Sequence, residues 1–174
     1  MSEINIPKPS YNEIIENPEN GKLMEAIWNA LQNSNLVDLQ KVRPDLMTWR
    51  RGSAQLVLRV NPQLDNLSIY SVLVAKVKPS EALYKHLLSY NVLQRRESLG
   101  MIEKDGETFI TLKYTMEINL ANEDVLQRHV FALQEIADEL DTELVNKFGG
   151  ILHFDDWKKL DQKSVDSMIV NLFS

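Results

Sequence analysis

The sequence predicts an α+β fold: an antiparallel sheet of about five strands with helices packed on it, in the order α-β-β-β-α-β-β-α, plus a C-terminal helical extension. Three observations carry this reading. From Ile110 to Leu120 every even position is apolar or aromatic (Ile110, Leu112, Tyr114, Met116, Ile118, Leu120) and every odd one is polar, the period of a strand with one buried face. Just before it, Asp105-Gly106 suits the positive backbone angles of a two-residue type I′ turn, which fixes a hairpin register. Lys104 then faces Glu107, Ile102 faces Phe109, Met101 faces Ile110 and Leu99 faces Leu112. Just after it, Leu126, Val130, Leu133, Ala137, Leu140 and Leu144 step by four and three. Phe131, Ile136 and Phe148 make this stripe wider than a coiled-coil seam, so the segment predicts a core helix lying on the sheet.

Taken in order, residues 1–17 read as an N-terminal arm, with Pro7, Pro9 and scattered apolar residues such as Ile4, Ile6, Tyr11, Ile14 and Ile15. Asn17-Pro18 suits a helix start, and Leu23, Met24, Ile27, Trp28, Ala30 and Leu31 recur at helical spacing, so a first helix is predicted over about 18–33. Between Val37 and Val77 the pattern turns to period two, and three strands are predicted around Met47 and Trp49, around Leu56 to Val60, and from Leu67 to Val77. Their connections are too short for crossovers, so they are antiparallel neighbours. Pro79-Ser80-Glu81 opens a second helix carrying Leu83, Tyr84, Leu87, Leu88 and Val92, and the hairpin follows. Asn122 caps the third helix, with Glu123 and Asp124 in its first turn and Lys147 and Gly149-Gly150 at its end. The expected division is therefore an arm at 1–17, one domain at 18–150 and an extension at 151–174, where Val165, Met168, Ile169, Leu172 and Phe173 outline a short amphipathic helix after Ser164.

Composition narrows the function classes. A chain of 174 residues with 44% hydrophobic content suits one domain with a proper core. A formal net charge of -6 argues against a large phosphate-binding surface, and Arg50-Arg51 and Arg95-Arg96 are only doublets at element ends, so no nucleic-acid partner is expected. With no cysteine there are no thiolate ligands, cysteine nucleophiles or disulfides. The start Met1-Ser-Glu-Ile lacks a secretory pattern and no window has the apolar length of a membrane span, so a cytoplasmic location is the expectation.

No catalytic signature is present. His86, His129 and His153 fall on separate predicted elements without a second ligand at helical spacing, so neither a metal nor a cofactor is expected. His153 with Asp155 and Asp156 is the one local grouping that suits a divalent ion, and Asp155-Asp156 equally suits a helix cap before Trp157. Acidic residues crowd the third helix away from its apolar stripe, as a solvated face does. More informative is the apolar surface left outside the predicted core, namely Ile102 and Phe109 on the second sheet face, Trp49 near a strand end, and the terminal segments; a partner interface and coverage by the chain's own arms account for it equally well.

The element order, the Asp105-Gly106-Glu107 hairpin running into Leu112-Lys-Tyr-Thr-Met-Glu-Ile118, and Leu133-Gln-Glu-Ile-Ala-Asp-Glu-Leu140 give the chain a resemblance over roughly residues 18–148. It resembles the type III secretion chaperone-like superfamily, especially its YbjN-like bacterial members. The resemblance implies a homodimer formed partly through the second helix, binding of extended segments of client proteins, and no catalytic residues or cofactors. The expected function is a non-enzymatic peptide- or protein-binding module. Trp49, Ile102 and Phe109 are the candidates for client contact, and Leu83, Tyr84 and Leu87 for self-association. A small-ligand sensor with a pocket between the sheet and the third helix is the alternative, and a metal-assisted hydrolase using His153, Asp155 and Asp156 is a third reading.

Overall fold

The computed structural model describes residues 18–34, 36–61, 65–93 and 96–152. The N-terminal arm with Asn17, Arg95, the His153-Asp155-Asp156 grouping and the helix expected after Ser164 lie outside the described residues. In chain order the elements are α1 (Pro18–Gln32), β1 (Val37–Arg43), β2 (Leu46–Arg51), β3 (Ala54–Asn61), β4 (Asn66–Ala75), α2 (Glu81–Leu93), β5 (Glu97–Lys104), β6 (Glu107–Glu117), α3 (Glu123–Phe148) and β7 (Ile151–Leu152). A 3-10 turn at Ile118–Leu120 links β6 to the cap of α3. The fold is α+β, as the sequence indicates, with seven strands among the described residues where about five are expected.

The sheet runs β1-β2-β3-β4-β6-β5, every pairing is antiparallel, and β7 adds to the end of β4 through Val74–Leu152 and Ala75–Ile151. The β5–β6 hairpin has the register that the Asp-Gly turn dictates, including Ile102 opposite Phe109 and Leu99 opposite Leu112. Both turn residues take positive φ, 52° at Asp105 and 79° at Gly106, as a type I′ turn requires. Between β4 and β6 the register slips at Val72/Val74, a bulge that turns both Leu73 and Val74 into the main core.

The three helices among the described residues all contribute to one core on one face of the sheet. Ile110, Leu112, Tyr114 and Met116 of β6 meet Leu126, Val130, Leu133, Ala137, Leu140 and Leu144 of α3 there, along with Met24, Ile27 and Leu31 of α1 and Leu83 and Leu87 of α2. Only Phe131 among the widening residues turns outward. Helix α3 begins where Asn122 Oδ1 accepts the Val125 amide at 3.0 Å, satisfying one of the amides that a helix start leaves unpaired. Ser80 does the same for α2, accepting from the Leu83 amide at 3.2 Å. The β2–β3 turn is tied to α3: Ser53 donates from its amide to Asp138 and from its hydroxyl to Asp141, at 3.2 and 2.5 Å.

Candidate peptide-binding surface

The opposite face of the sheet builds a second, smaller apolar cluster. Alternation sends Leu46, Val57, Val72, Ala75 and Phe109 to this side, with Val42, Tyr70, Ile102 and Ile151 packed around them. Among the described residues no helix side chain enters this cluster. Next to it, Arg59, Asn61, Asn66, Ser68, Tyr70 and Lys113 line a shallow polar depression. The Lys113 ammonium lies 5.3 Å over the Tyr70 ring there, and the hydroxyls of Ser68 and Thr115 are 3.0 Å apart.

The two outer edges of the sheet differ. The register of β1 against β2 is broken twice and Asp38 sits at φ 52°, irregularities that blunt an edge against further pairing. By contrast β5 pairs with β6 without a break over eight residues. Its other edge is held at one point by α2: Asn91 Nδ2 donates to the Leu99 carbonyl at 2.8 Å and Asn91 Oδ1 accepts the Leu99 amide at 2.7 Å. The backbone groups of Leu99 therefore point away from β6, and those of Met101 and Glu103 repeat this direction two and four residues on. Among the described residues no strand pairs with this edge. Met101 and Ile102 beside it are partly exposed, on opposite faces of the sheet.

A third apolar surface is the outer side of α2. Tyr84, Leu88, Val92 and Leu93 are 44–82% exposed. The first three are spaced by four, so they form a single stripe.

The candidates from the sequence divide accordingly. Ile102 and Phe109 do pair on the second face, Ile102 partly open and Phe109 buried in its cluster. Trp49 is a correction. Its pairing with Leu56 points it into the helix-covered core, where it is fully buried and reaches no surface; its indole N–H meets no acceptor among the described residues. Leu83 and Leu87 likewise face the core, because they lie on the side of α2 turned toward β5 and α3. Tyr84 alone of that trio faces outward, and Leu88, Val92 and Leu93, not singled out for this role in the sequence, complete its surface. Spacing by four holds equally for 83/87 and for 84/88/92, so periodicity alone does not say which stripe faces in.

The titratable groups with displaced pKa values sit at the margins of the main core. His129 stacks on Tyr114 with ring centroids 4.5 Å apart and its Nε2 3.1 Å from the phenol oxygen. Burial raises the Tyr114 phenol; burial, reinforced by Arg96 and Arg128, lowers His129. Burial pushes Tyr90 up to about 12, with Glu97 and Glu143 adding to it. Burial also raises Asp141, against the hydrogen bonds from Ser53 and Thr142. None of these groups faces the second cluster. Among the described residues no three His, Cys, Asp or Glu side chains gather as a metal site would require. The space between the sheet and α3 is filled by Leu56, Leu58, Ile69, Leu112, Val130 and Leu133.

Among the described residues the domain thus has one sheet face that no helix packs on, one regular edge that no strand pairs and one apolar outer helix stripe, features that extended or helical partners use elsewhere. Residues 22–156 match the model of the family described as type III secretion system (YopN, CesT) and YbjN peptide-binding chaperone 1, and the chain belongs to that family. The role so described is chaperone-type peptide binding, which is non-catalytic in kind. No curated protein sequence matches the chain. Among solved structures it is similar to a chain of the ExsC-ExsE complex, with a TM-score of 0.57 at 12% identity over 71% of this chain and 93% of that one. It is also similar to a chain of the HopA1-SchA chaperone-effector complex, with a TM-score of 0.51 at 15% identity over 74% of this chain and 95% of that one. At these identities the likeness is one of fold. No described helix is long and apolar enough to cross a membrane.

Proposed function

We propose that this protein is a non-enzymatic, cytoplasmic chaperone-like module that holds an extended segment of a client protein, and that it works as a homodimer. The edge of β5, which no strand among the described residues pairs, carries this reading. A client strand laid along it would pair with the main chain at Met101 and Glu103, where the backbone points outward. Its alternate side chains would then fall beside Ile102 on one face and beside Met101 on the other. The Asn91 clamp at Leu99 would mark where that pairing stops. The complexes in which the structural neighbours occur, one of them a chaperone with its effector, support a protein client. Self-association would use the outer stripe of α2, Tyr84, Leu88, Val92 and Leu93, since apolar surface of this kind is normally covered by a partner.

The test begins with peptides selected by display on the purified protein and measures their binding by fluorescence anisotropy. Met101→Pro removes one outward N–H without touching the ladder to β6, and it should weaken binding tenfold or more. Ile102→Asp should do the same by placing charge beside the bound chain. Unchanged affinity in both variants would reject the edge as the site.

A further inference from the structure

One residue of the β5 edge is explained neither by its backbone nor by its packing. Gly100 lies inside an unbroken stretch of ladder, opposite Thr111, and its φ is outside the left-handed region that calls for glycine. Among the described residues a Cβ there would meet only Thr111 Oγ1, at 3.4 Å, an ordinary contact. A glycine inside a strand weakens it, because it adds backbone entropy to the unfolded chain and brings no side chain to pack. Such a residue often marks a place where a ligand or a second backbone comes close.

The positions left for pairing put Gly100 at one end. Asn91 occupies the outward N–H and carbonyl of Leu99, and Asp105-Gly106 turns the chain away after Lys104, so an added strand is confined to Gly100 through Lys104. Gly100 and Ile102 direct their backbone groups to β6. Against an added strand they form non-hydrogen-bonded pairs, in which Cα atoms approach to about 4.5 Å and side chains are closest. Both residues are partly exposed. On the second face Gly100 leaves a notch beside Ile102 and Thr111, and an aromatic ring reaching across from a neighbouring strand fills a gap of this kind. At the other end stands Glu103, which is exposed and which alternation puts on the opposite face. Among the described residues no cation pairs with its carboxylate.

We propose that the β5 edge selects its client segment by two residues three apart: an aromatic one opposite Gly100, seated in the notch, and a basic one opposite Glu103. The proposal rests on the client reading above and adds its register and chemistry. A spacing of three is odd, so the two side chains leave an extended client on opposite faces, as Gly100 and Glu103 require. The aromatic contact supplies most of the preference, since an exposed ion pair changes affinity by about fivefold or less.

The test is a library of random peptides displayed on phage and selected in parallel on the intact parent protein, Gly100→Val and Glu103→Lys. The parent should enrich aromatic residues at one position, with Lys or Arg three residues away. Synthetic peptides from its pool are then measured by fluorescence anisotropy. Replacing the aromatic residue by Ala should weaken binding to the parent about tenfold and to Gly100→Val less than about threefold, because the new side chain already fills the notch. Exchanging the basic residue for Glu should weaken binding to the parent about threefold, and Glu103→Lys should reverse that order. Gly100→Ala is the fold control, and its urea midpoint should equal or exceed the parent's. A lower midpoint would make the glycine structural and overturn the proposal; where Gly100→Val does not fold, Gly100→Ala takes its place in the binding measurement. An equal aromatic loss in parent and variant, or a parent pool with no aromatic preference, overturns the notch while the edge stands, provided Met101→Pro still weakens binding. Equal binding of the basic and Glu peptides to the parent overturns the role of Glu103. A pool that binds Met101→Pro and Ile102→Asp as well as the parent, or a parent that selects no peptide, rejects the client edge itself.

Discussion

The tie between the β2–β3 turn and α3 can be broken at one residue, Gly52. Its backbone sits at φ 55°, and a Cβ placed there would lie 2.0 Å from Asp138 Oδ1 and 2.8 Å from Asp138 Cγ. Gly52→Ala therefore adds two costs. The left-handed backbone costs about 1 kcal/mol for a residue with a Cβ. The carboxylate must also swing away and give up the bonds it accepts from Ser53, 3.2 Å from the amide and 3.3 Å from the hydroxyl. A hydrogen bond to a charged group contributes about 1.5–3 kcal/mol, and the exposure of Asp138 puts the loss at the low end of that range. The sum is about 2–3 kcal/mol, or a fall in Tm of roughly 5–10 °C for a chain of this size. Gly106→Ala is the control. Its φ of 79° imposes a similar backbone cost, but no atom lies within 4 Å of the new Cβ, so it should lose only about 1 kcal/mol. Urea unfolding of both variants measures the difference. Equal losses would refute the reasoning, because they would mean that Asp138 is not held against the turn in solution. In the double variant Gly52→Ala/Asp138→Ala the backbone cost and the lost bonds should remain, with no further loss from steric contact.

Four further outcomes follow from the same structure. Asp141 has its pKa raised by burial, so between the unfolded value near 3.8 and the folded one the native chain holds a proton that the unfolded chain has lost. Stability thus falls as pH rises through that window and stays lowered above it; Asp141→Asn should be at least as stable as the parent at pH 7, with its advantage vanishing as pH is lowered toward 3.8, read by denaturant midpoints. His129 has its pKa lowered by burial and by Arg96 and Arg128, so stability should be lost as pH falls from 6.5 through the folded value, and His129→Gln should flatten that slope in Tm against pH. Leu133→Ala, at the centre of the main core, should cost about 2–5 kcal/mol in chemical denaturation. Leu88→Glu with Val92→Glu, both exposed, should change monomer stability by no more than about 0.5 kcal/mol each and yet abolish self-association in sedimentation velocity; association that persists would place the dimer contact elsewhere.

Much of this architecture is legible in the residues because local and long-range signals agree. In β6 the alternation and the Asp-Gly turn each specify the same face and register, and Asn122, the apolar stripe and Lys147 specify α3 from cap to end. Strand β1 is not legible: its run Val-Asp-Leu-Gln-Lys-Val-Arg has no clean alternation, and the left-handed Asp38 and two register shifts show why. Two-residue β7 exists only because β4 extends past the start of β3 and offers it unpaired backbone, a tertiary circumstance with no local signature. Trp49 illustrates the opposite lapse. Its alternation with Met47, matched to Leu56 and Leu58 across the turn, already marks it as core, and only its nearness to a strand end suggested a surface role. For α2 the two apolar stripes are indistinguishable in sequence, and the Asn91 clamp onto Leu99 fixes which one turns inward.

Methyl-resolved NMR of the full-length protein, titrated with a display-selected peptide, addresses the proposed client site most directly. The account places the largest shifts at Ile102 and Met101 along the β5 edge, while Val130 and Leu133 stay in place. Shifts that cluster on α3 and the helix-covered core, leaving Ile102 and Met101 unmoved, would contradict it.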